Sequence, residues 1–288
     1  VKIPKRIEPL VEAGLVDSVS RQLMSGKEAM IYVVRCGGAI RCAKVYKEAN
    51  LRSFRQSVDY TEGRRVKNSR RARAMEKGSR YGRKAKEEAW QSTEVDALYR
   101  LADAGVRVPR PYNFIDGVLL MELVTDGEGE PAPRLNDVVL TAEQAREFHR
   151  TLMGEVVRML CAGVVHGDLS EYNVLLGHRD SVTVPVIIDL PQTVDAAGNA
   201  HAGGMLERDV ANLTRYFGRF APELLDTQYG GEIWSLYKSG KLRPETELTG
   251  RFERVEKAVD VGSVMRVVDD ALREEAKRQL VRQEMGQK

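Results

Sequence analysis

Asp168 and Asn173 lie five positions apart in the run His166-Gly167-Asp168-Leu169-Ser170-Glu171-Tyr172-Asn173, and a second aspartate, Asp189, follows the apolar pair Ile187-Ile188. These residue types suit phosphoryl transfer from ATP, which needs a carboxylate to orient and deprotonate a hydroxyl and oxygen ligands for the magnesium on the phosphates. Asp168 fits the base; Asn173 and Asp189 fit the metal. The plainer reading makes His166 to Asp168 a turn, with Asp and Asn as capping residues, but the joint spacing of three such groups favours chemistry. His166 is read as fixing the loop by hydrogen bonding.

Lys44 sits inside the β-prone run Ile40 to Tyr46, where an unpaired ammonium would be costly to bury. Phosphate oxygens and a helix carboxylate are its natural partners. Glu94 is the candidate, with Glu87 or Glu88 as alternatives; an edge-strand lysine facing water is the competing reading. Ser25-Gly26-Lys27-Glu28-Ala29 reads as a turn ahead of a strand, where backbone N–H groups, Ser25 and Lys27 can meet a triphosphate. Such turns are common, and this one is not G-x-G-x-x-G. Glu122 and Val124 follow the apolar Leu119-Leu120-Met121, at a point where backbone groups would read an adenine.

Several elements must position these groups. The apolar residues Leu10, Val11 and Leu15 predict a helical segment over Ile7 to Val19, interrupted by Gly14. Met30 to Val34 and Ile40 to Tyr46 predict two strands joined at Gly37-Gly38. Trp90, Val95, Leu98 and Leu101 recur at helical spacing until Gly105. Strands are expected at Tyr112 to Phe114 and Val118 to Leu123 around Asp116-Gly117, and a Gly/Pro/Glu-rich connector follows at Asp126 to Pro133. Thr141 and Gln144 form a capping box for a long helix to Cys161. Strands Val174 to Leu176 and Val184 to Ile188, a helix Met205 to Phe217 and further helices to Lys288 complete the pattern.

With 288 residues, 42% hydrophobic and 30% charged, the chain can bury a substantial core, and no apolar run is long enough to cross a bilayer. A basic start lacking an apolar signal core adds to the expectation of a cytoplasmic protein without membrane contact. Cys36, Cys42 and Cys161 show no C-x-x-C spacing and are expected to be buried thiols. The net charge of +3 conceals a basic segment at 51–86. That segment reads either as a solvated charged loop or as a surface for RNA or another polyanion.

Four segments carry a resemblance to the RIO family of atypical serine kinases over roughly Leu10 to Phe217. They are Ser25 to Ala29, Ala43-Lys44-Val45-Tyr46-Lys47, His166 to Asn173 with its Ser-Glu-Tyr-Asn ending, and Ile188-Asp189-Leu190-Pro191-Gln192. His-x-Asp-Leu-x-x-x-Asn is the protein-kinase catalytic loop, and the Ser-Glu-Tyr-Asn ending separates RIO proteins from ordinary kinases. Leu206-Glu207-Arg208-Asp209-Val210 also looks like a family feature.

The resemblance implies an α+β fold of two lobes, a small β-rich N-lobe and a mainly helical C-lobe, lacking the usual activation segment and peptide-docking helices. The expected division is a helical segment at 1–20, an N-lobe at 21–125 with its basic insertion at 51–86, a catalytic lobe at 126–220 and a helical extension at 221–288. It further implies a serine/threonine kinase using ATP with Mg2+, Mn2+ being an alternative ion. Lys44 and Glu94 would serve the nucleotide, and the protein itself would be a substrate through autophosphorylation on serine. Asp189 would be a transient phosphate acceptor, and a ribosomal particle would be a partner through the insertion. Gly167 departs from the alanine often found there, and no N-terminal winged helix is recognisable, so the chain is more similar to bacterial members. His-Gly-Asp-Leu also opens the loop of aminoglycoside and choline kinases, so a small-molecule phosphotransferase is one alternative; an ATP-switched RNA-binding scaffold is another.

Overall fold

In the computed structural model, residues 3–26, 28–47 and 93–253 are described. Packing divides the chain into one unit, Val1–Phe252, and a second, Glu253–Lys288. The basic insertion, Lys27, Glu87, Glu88 and any helix expected after residue 253 lie outside the described residues.

The first unit begins with a short helix α1 (Glu8–Glu12) and strand β1 (Ser18–Ser25). This corrects the helical reading of Ile7 to Val19. Gly14, at a φ of 70°, ends the helix, because only glycine adopts that conformation without steric cost. β1 was not legible because Val19 is its one buried position, which leaves no apolar alternation to detect. Strands β2 (Ala29–Cys36) and β3 (Ala39–Tyr46) follow as expected, joined at Gly37 and Gly38, both with positive φ. That is the geometry a two-residue hairpin loop requires.

Residues 93–103 form helix α2, and β4 (Pro111–Ile115) and β5 (Val118–Glu122) form a second hairpin. The sheet order is β1-β2-β3-β5-β4, antiparallel throughout. Ile7 and Leu10 cover one face of the sheet, packing with Val34, Ala43, Val45, Val118 and Leu120. The other face, with Tyr46 and Leu119, joins the main core that includes Leu101 and Leu152. Alternation along β3 thus sends Val45 to one core and Lys44 towards the other side of the sheet.

The helical part starts with α3 (Ala142–Cys161), whose Thr141 hydroxyl accepts from the Gln144 amide at 3.2 Å while the Gln144 side chain accepts from the Thr141 amide at 3.0 Å. Phe148, Leu152, Val156 and Leu160 face the core. Cys161 lies off that stripe and is exposed, so only Cys36 and Cys42 are buried thiols. Short β6 (Val164–Val165) pairs with β9 (Val194–Asp195), and the hairpin of β7 (Val174–Arg179) and β8 (Val182–Ile187) lies between them in sequence. Helices α4 (Ala202–Phe217) and α5 (Tyr229–Lys238) follow. Among the described residues, 190–201 alone connect Asp189 to α4. Ala221-Pro222-Glu223 starts a short 3-10 turn, where Glu223 pairs with Arg146 at 2.5 Å on the surface.

His149 joins α3 to α4 inside the core. It is 1% exposed, its Nε2 lies 3.0 Å from the Thr214 hydroxyl, and its ring packs edge-on against Phe217. Burial pushes its pKa down to about 4 from an unperturbed 6.5. The folded protein therefore holds a neutral imidazole, and the associated stability is present above pH 6.5 and lost as pH falls towards 4. Urea unfolding over that range should show a loss approaching about 3 kcal/mol from this group. His149→Gln should flatten the slope; an unchanged slope would remove His149 as its source.

Candidate functional site

β3 places Lys44 opposite Leu119 of β5, and α2 brings Glu94 against it. Lys44 Nζ lies 2.5 Å from Glu94 Oε1 and 3.2 Å from Asp189 Oδ1, with side-chain exposures of 12% for Lys44 and 5% for Glu94. Burial alone would pull the Lys44 pKa down, but Glu94 and then Asp189 outweigh it and hold the ammonium above its ordinary value. Breaking such a pair from one side leaves an uncompensated buried charge. Tyr46 lies beneath, its ring centroid 5.3 Å from Nζ, and burial together with Glu94 keeps its phenol protonated.

The pairing of β6 with β9 brings the chain after Val165 beside the chain after Asp189. His166 is 2% exposed, with Nε2 3.2 Å from the Ile188 carbonyl, while its Nδ1 accepts from the Asp168 amide at 3.3 Å. This assigns the Nε2–H tautomer, and burial holds the ring pKa below its usual value. His166 ties two loops together. Gly167, at a φ of 83°, turns the chain so that Asp168 projects outwards. Its carboxyl pKa is raised by partial burial and by Asp189 and lowered by Arg208, burial being the largest influence.

Asn173 closes the loop: its Nδ2 donates to the Asp168 carbonyl at 2.8 Å, and its own carbonyl accepts from the Ile188 amide at 2.9 Å. With Nδ2 so engaged, Oδ1 is the side-chain atom of Asn173 left to ligate an ion. Asp189 has a φ of 65°, an uncommon conformation for a residue with a side chain, though aspartate tolerates it better than most. Carboxylate and carboxamide oxygens are the donors a hard divalent cation selects, so Asp189 and Asn173 fit magnesium.

In the turn between β1 and β2 the Gly26 amide donates to the Ala29 carbonyl at 2.9 Å. Lys47 Nζ reaches back to the Gly26 carbonyl at 2.5 Å and to the Ser25 hydroxyl at 3.2 Å. On the other side, the Glu122 carboxylate takes Arg179 at 3.1 Å and the Arg110 amide at 3.1 Å. Its side chain is thus engaged within the protein. The Glu122 amide donates to the Arg110 carbonyl and the Val124 carbonyl accepts from Ala132, so any base reading here falls to the Glu122 carbonyl and the Val124 amide.

Three residues outside the sequence-derived site belong to it structurally. Asp209, 2% exposed on α4, accepts from the Gly167 amide at 2.8 Å and the Leu169 amide at 2.9 Å. Burial pushes its carboxyl up to about 7, against those two donors and Arg208. Arg208 donates to the Gly167 carbonyl. Gln192 Nε2 donates to Asp168 Oδ2 at 3.3 Å. The available signal for Asp209 was a carboxylate in the centre of the stripe Leu206, Val210 and Leu213, where periodicity calls for an apolar residue. Gln192 had no such pattern of its own, although it closes the segment Ile188 to Gln192 that carries the family resemblance.

Comparison with known proteins gives concordant results. The RIO domain family profile matches residues 30–229. The chain is 35% identical over 215 residues to the RIO-type serine/threonine-protein kinase Rio1 of Haloferax volcanii, covering 74% of this chain and 68% of that one. It is 30% identical over 212 residues to human serine/threonine-protein kinase RIO1, covering 73% of this chain and 35% of the human protein, so it spans little more than a third of that relative. The crystal structure of the Rio2 kinase from Chaetomium thermophilum aligns with a TM-score of 0.56 at 21% identity, covering 94% of this chain and 77% of the other. A second structure, the Rio2 kinase-ADP/Mg2+-phosphoaspartate complex from the same organism, aligns at 0.54 and 22%, covering 74% and 59%. These two likenesses establish the two-lobed fold.

Proposed function

Because the chain belongs to the RIO domain family, whose curated relatives are named serine/threonine-protein kinases, we propose that it is an ATP- and Mg2+-dependent serine/threonine kinase that labels itself. The observation that carries this reading is the convergence of Lys44, Glu94 and Asp189 on one ion-pair cluster beside the Asp168 loop. Lys44, held charged by Glu94, meets phosphate oxygens. Ser25 and the Gly26 turn, pinned by Lys47, cover the phosphates together with Lys27, and the Glu122 carbonyl and Val124 amide read the adenine. Asp189 and Asn173 would hold the ion, which when bound would supply charge stabilisation to the phosphoryl group. Asp168 takes the proton of the attacking hydroxyl.

The second of the two Rio2 structures is a phosphoaspartate complex. The corresponding acceptor here would be Asp189, which would make phosphate release by hydrolysis a companion activity. Incubation with γ-labelled ATP and Mg2+ should label the wild-type protein, and chelation or Asp189→Ala should abolish the label. Nucleotide binding without label under any condition would sink the kinase reading in favour of the ATP-switched scaffold. A ribosomal or RNA partner at 51–86 would show as salt-sensitive RNA binding that disappears on deleting that segment.

A further inference from the structure

The geometry points to Gln192 as a positioning residue for phosphoryl transfer: its carboxamide fixes the Asp168 carboxylate through Oδ2, so that Oδ1 meets the acceptor hydroxyl. The inference rests on the kinase reading above. The backbone around Asp168 is secured from several sides, through its own amide to His166 Nδ1, its carbonyl from Asn173, and the flanking Gly167 and Leu169 amides to Asp209. The carboxylate is not. Among the described residues, the one hydrogen bond it accepts comes from Gln192 Nε2 at 3.3 Å. Without that bond the exposed carboxylate would feel only the less directional attraction of Arg208 and would sample its rotamers.

Gln192 is itself held in place. It stands three residues after Asp189 in a turn where the Thr193 amide donates to the Leu190 carbonyl at 3.2 Å and the Thr193 hydroxyl to the same carbonyl at 2.9 Å. Leu190 is 2% and Thr193 3% exposed, while Gln192 between them is half-buried and turned towards the base. Pro191 further restricts the turn. The chemistry of the side chain also suits the place. A carboxamide brings a donor to Asp168 without adding a third negative charge to Asp168 and Asp189, as a carboxylate would, or competing with Lys44 for phosphate, as an ammonium would.

In the step it supports, a bond forms between the acceptor oxygen and the γ-phosphorus of ATP. The bond from that phosphorus to the β,γ-bridging oxygen breaks, its electron pair leaves with ADP, and the hydroxyl proton passes to Asp168. Holding the base in reach affects the transfer and not the binding of nucleotide, which lies on the Lys44 side.

Full-length wild type, Gln192→Ala, Gln192→Glu and Asp168→Ala are compared for self-labelling rate at saturating ATP, for the ATP concentration giving half-maximal rate, and for melting temperature. The expected result for Gln192→Ala is a roughly ten-fold lower maximal rate with unchanged half-saturation and melting temperature. Gln192→Glu, nearly the same shape but without a donor to an ionised carboxylate and with a charge facing it, should lose at least as much. Wild-type rates in Gln192→Glu, or a loss confined to half-saturation, overturn the proposal. If wild type itself transfers no label, the kinase reading fails and this proposal falls with it; if Asp168→Ala labels like wild type, the kinase reading stands but Asp168 is not the base, and this proposal fails alone.

Discussion

Replacing Asp168 with alanine should lower label transfer from ATP by roughly 100-fold or more, the effect of removing a positioned base, while ATP still binds. The structure separates these two effects. The Asp168 side chain is exposed and accepts a single hydrogen bond among the described residues, so its removal orphans no buried charge. Lys44 keeps both Glu94 and Asp189, and the Gly26 turn keeps Lys47. Melting temperature should therefore be unchanged. Nucleotide affinity measured by titration should match wild type while the transfer rate collapses. Undiminished labelling in Asp168→Ala would remove it from the base role; lost nucleotide binding would show that it serves the site in a different way.

Asp209→Ala should lower stability by about 2–6 kcal/mol in urea unfolding, accompanied by loss of labelling. Two buried backbone amides, Gly167 and Leu169, depend on this one carboxylate. Each donor left unsatisfied in the interior costs about 1–3 kcal/mol, and the two flank the candidate base. Asp209→Asn should fall between alanine and wild type, because its amide oxygen can accept from one donor while its NH2 faces the other. A loss below about 1 kcal/mol in Asp209→Ala would show that the loop holds itself through His166 and Asn173.

How much of this was legible varied with how local the signal was. The hairpins at Gly37-Gly38 and Asp116-Gly117 follow from positive φ at those positions, a demand that the residues themselves announce. The α3 cap was equally explicit in Thr141 and Gln144. β1 escaped because an edge strand with one buried residue has no pattern to repeat. Cys161 was misplaced because composition speaks to the burial of cysteine in general and not to which face of a helix one occupies. The Lys44 and Glu94 pairing was legible in outline, since a lysine in an apolar strand needs a carboxylate, and the helix supplied one at 2.5 Å.

The sequence by itself determined the reacting parts: two aspartates, an asparagine and a strand lysine, with spacing that sets their types and order along the chain. It could do so because a short loop fixes the relation between residues five apart, whatever surrounds it. Only the tertiary structure decided what holds those parts still. Asp209 and Arg208 reach the Asp168 loop from α4, more than thirty residues onwards, and Gln192 reaches it from the turn that follows Asp189. Such contacts form where helices and strands pack, and a carboxylate or carboxamide that satisfies a distant amide looks in sequence like any other polar residue.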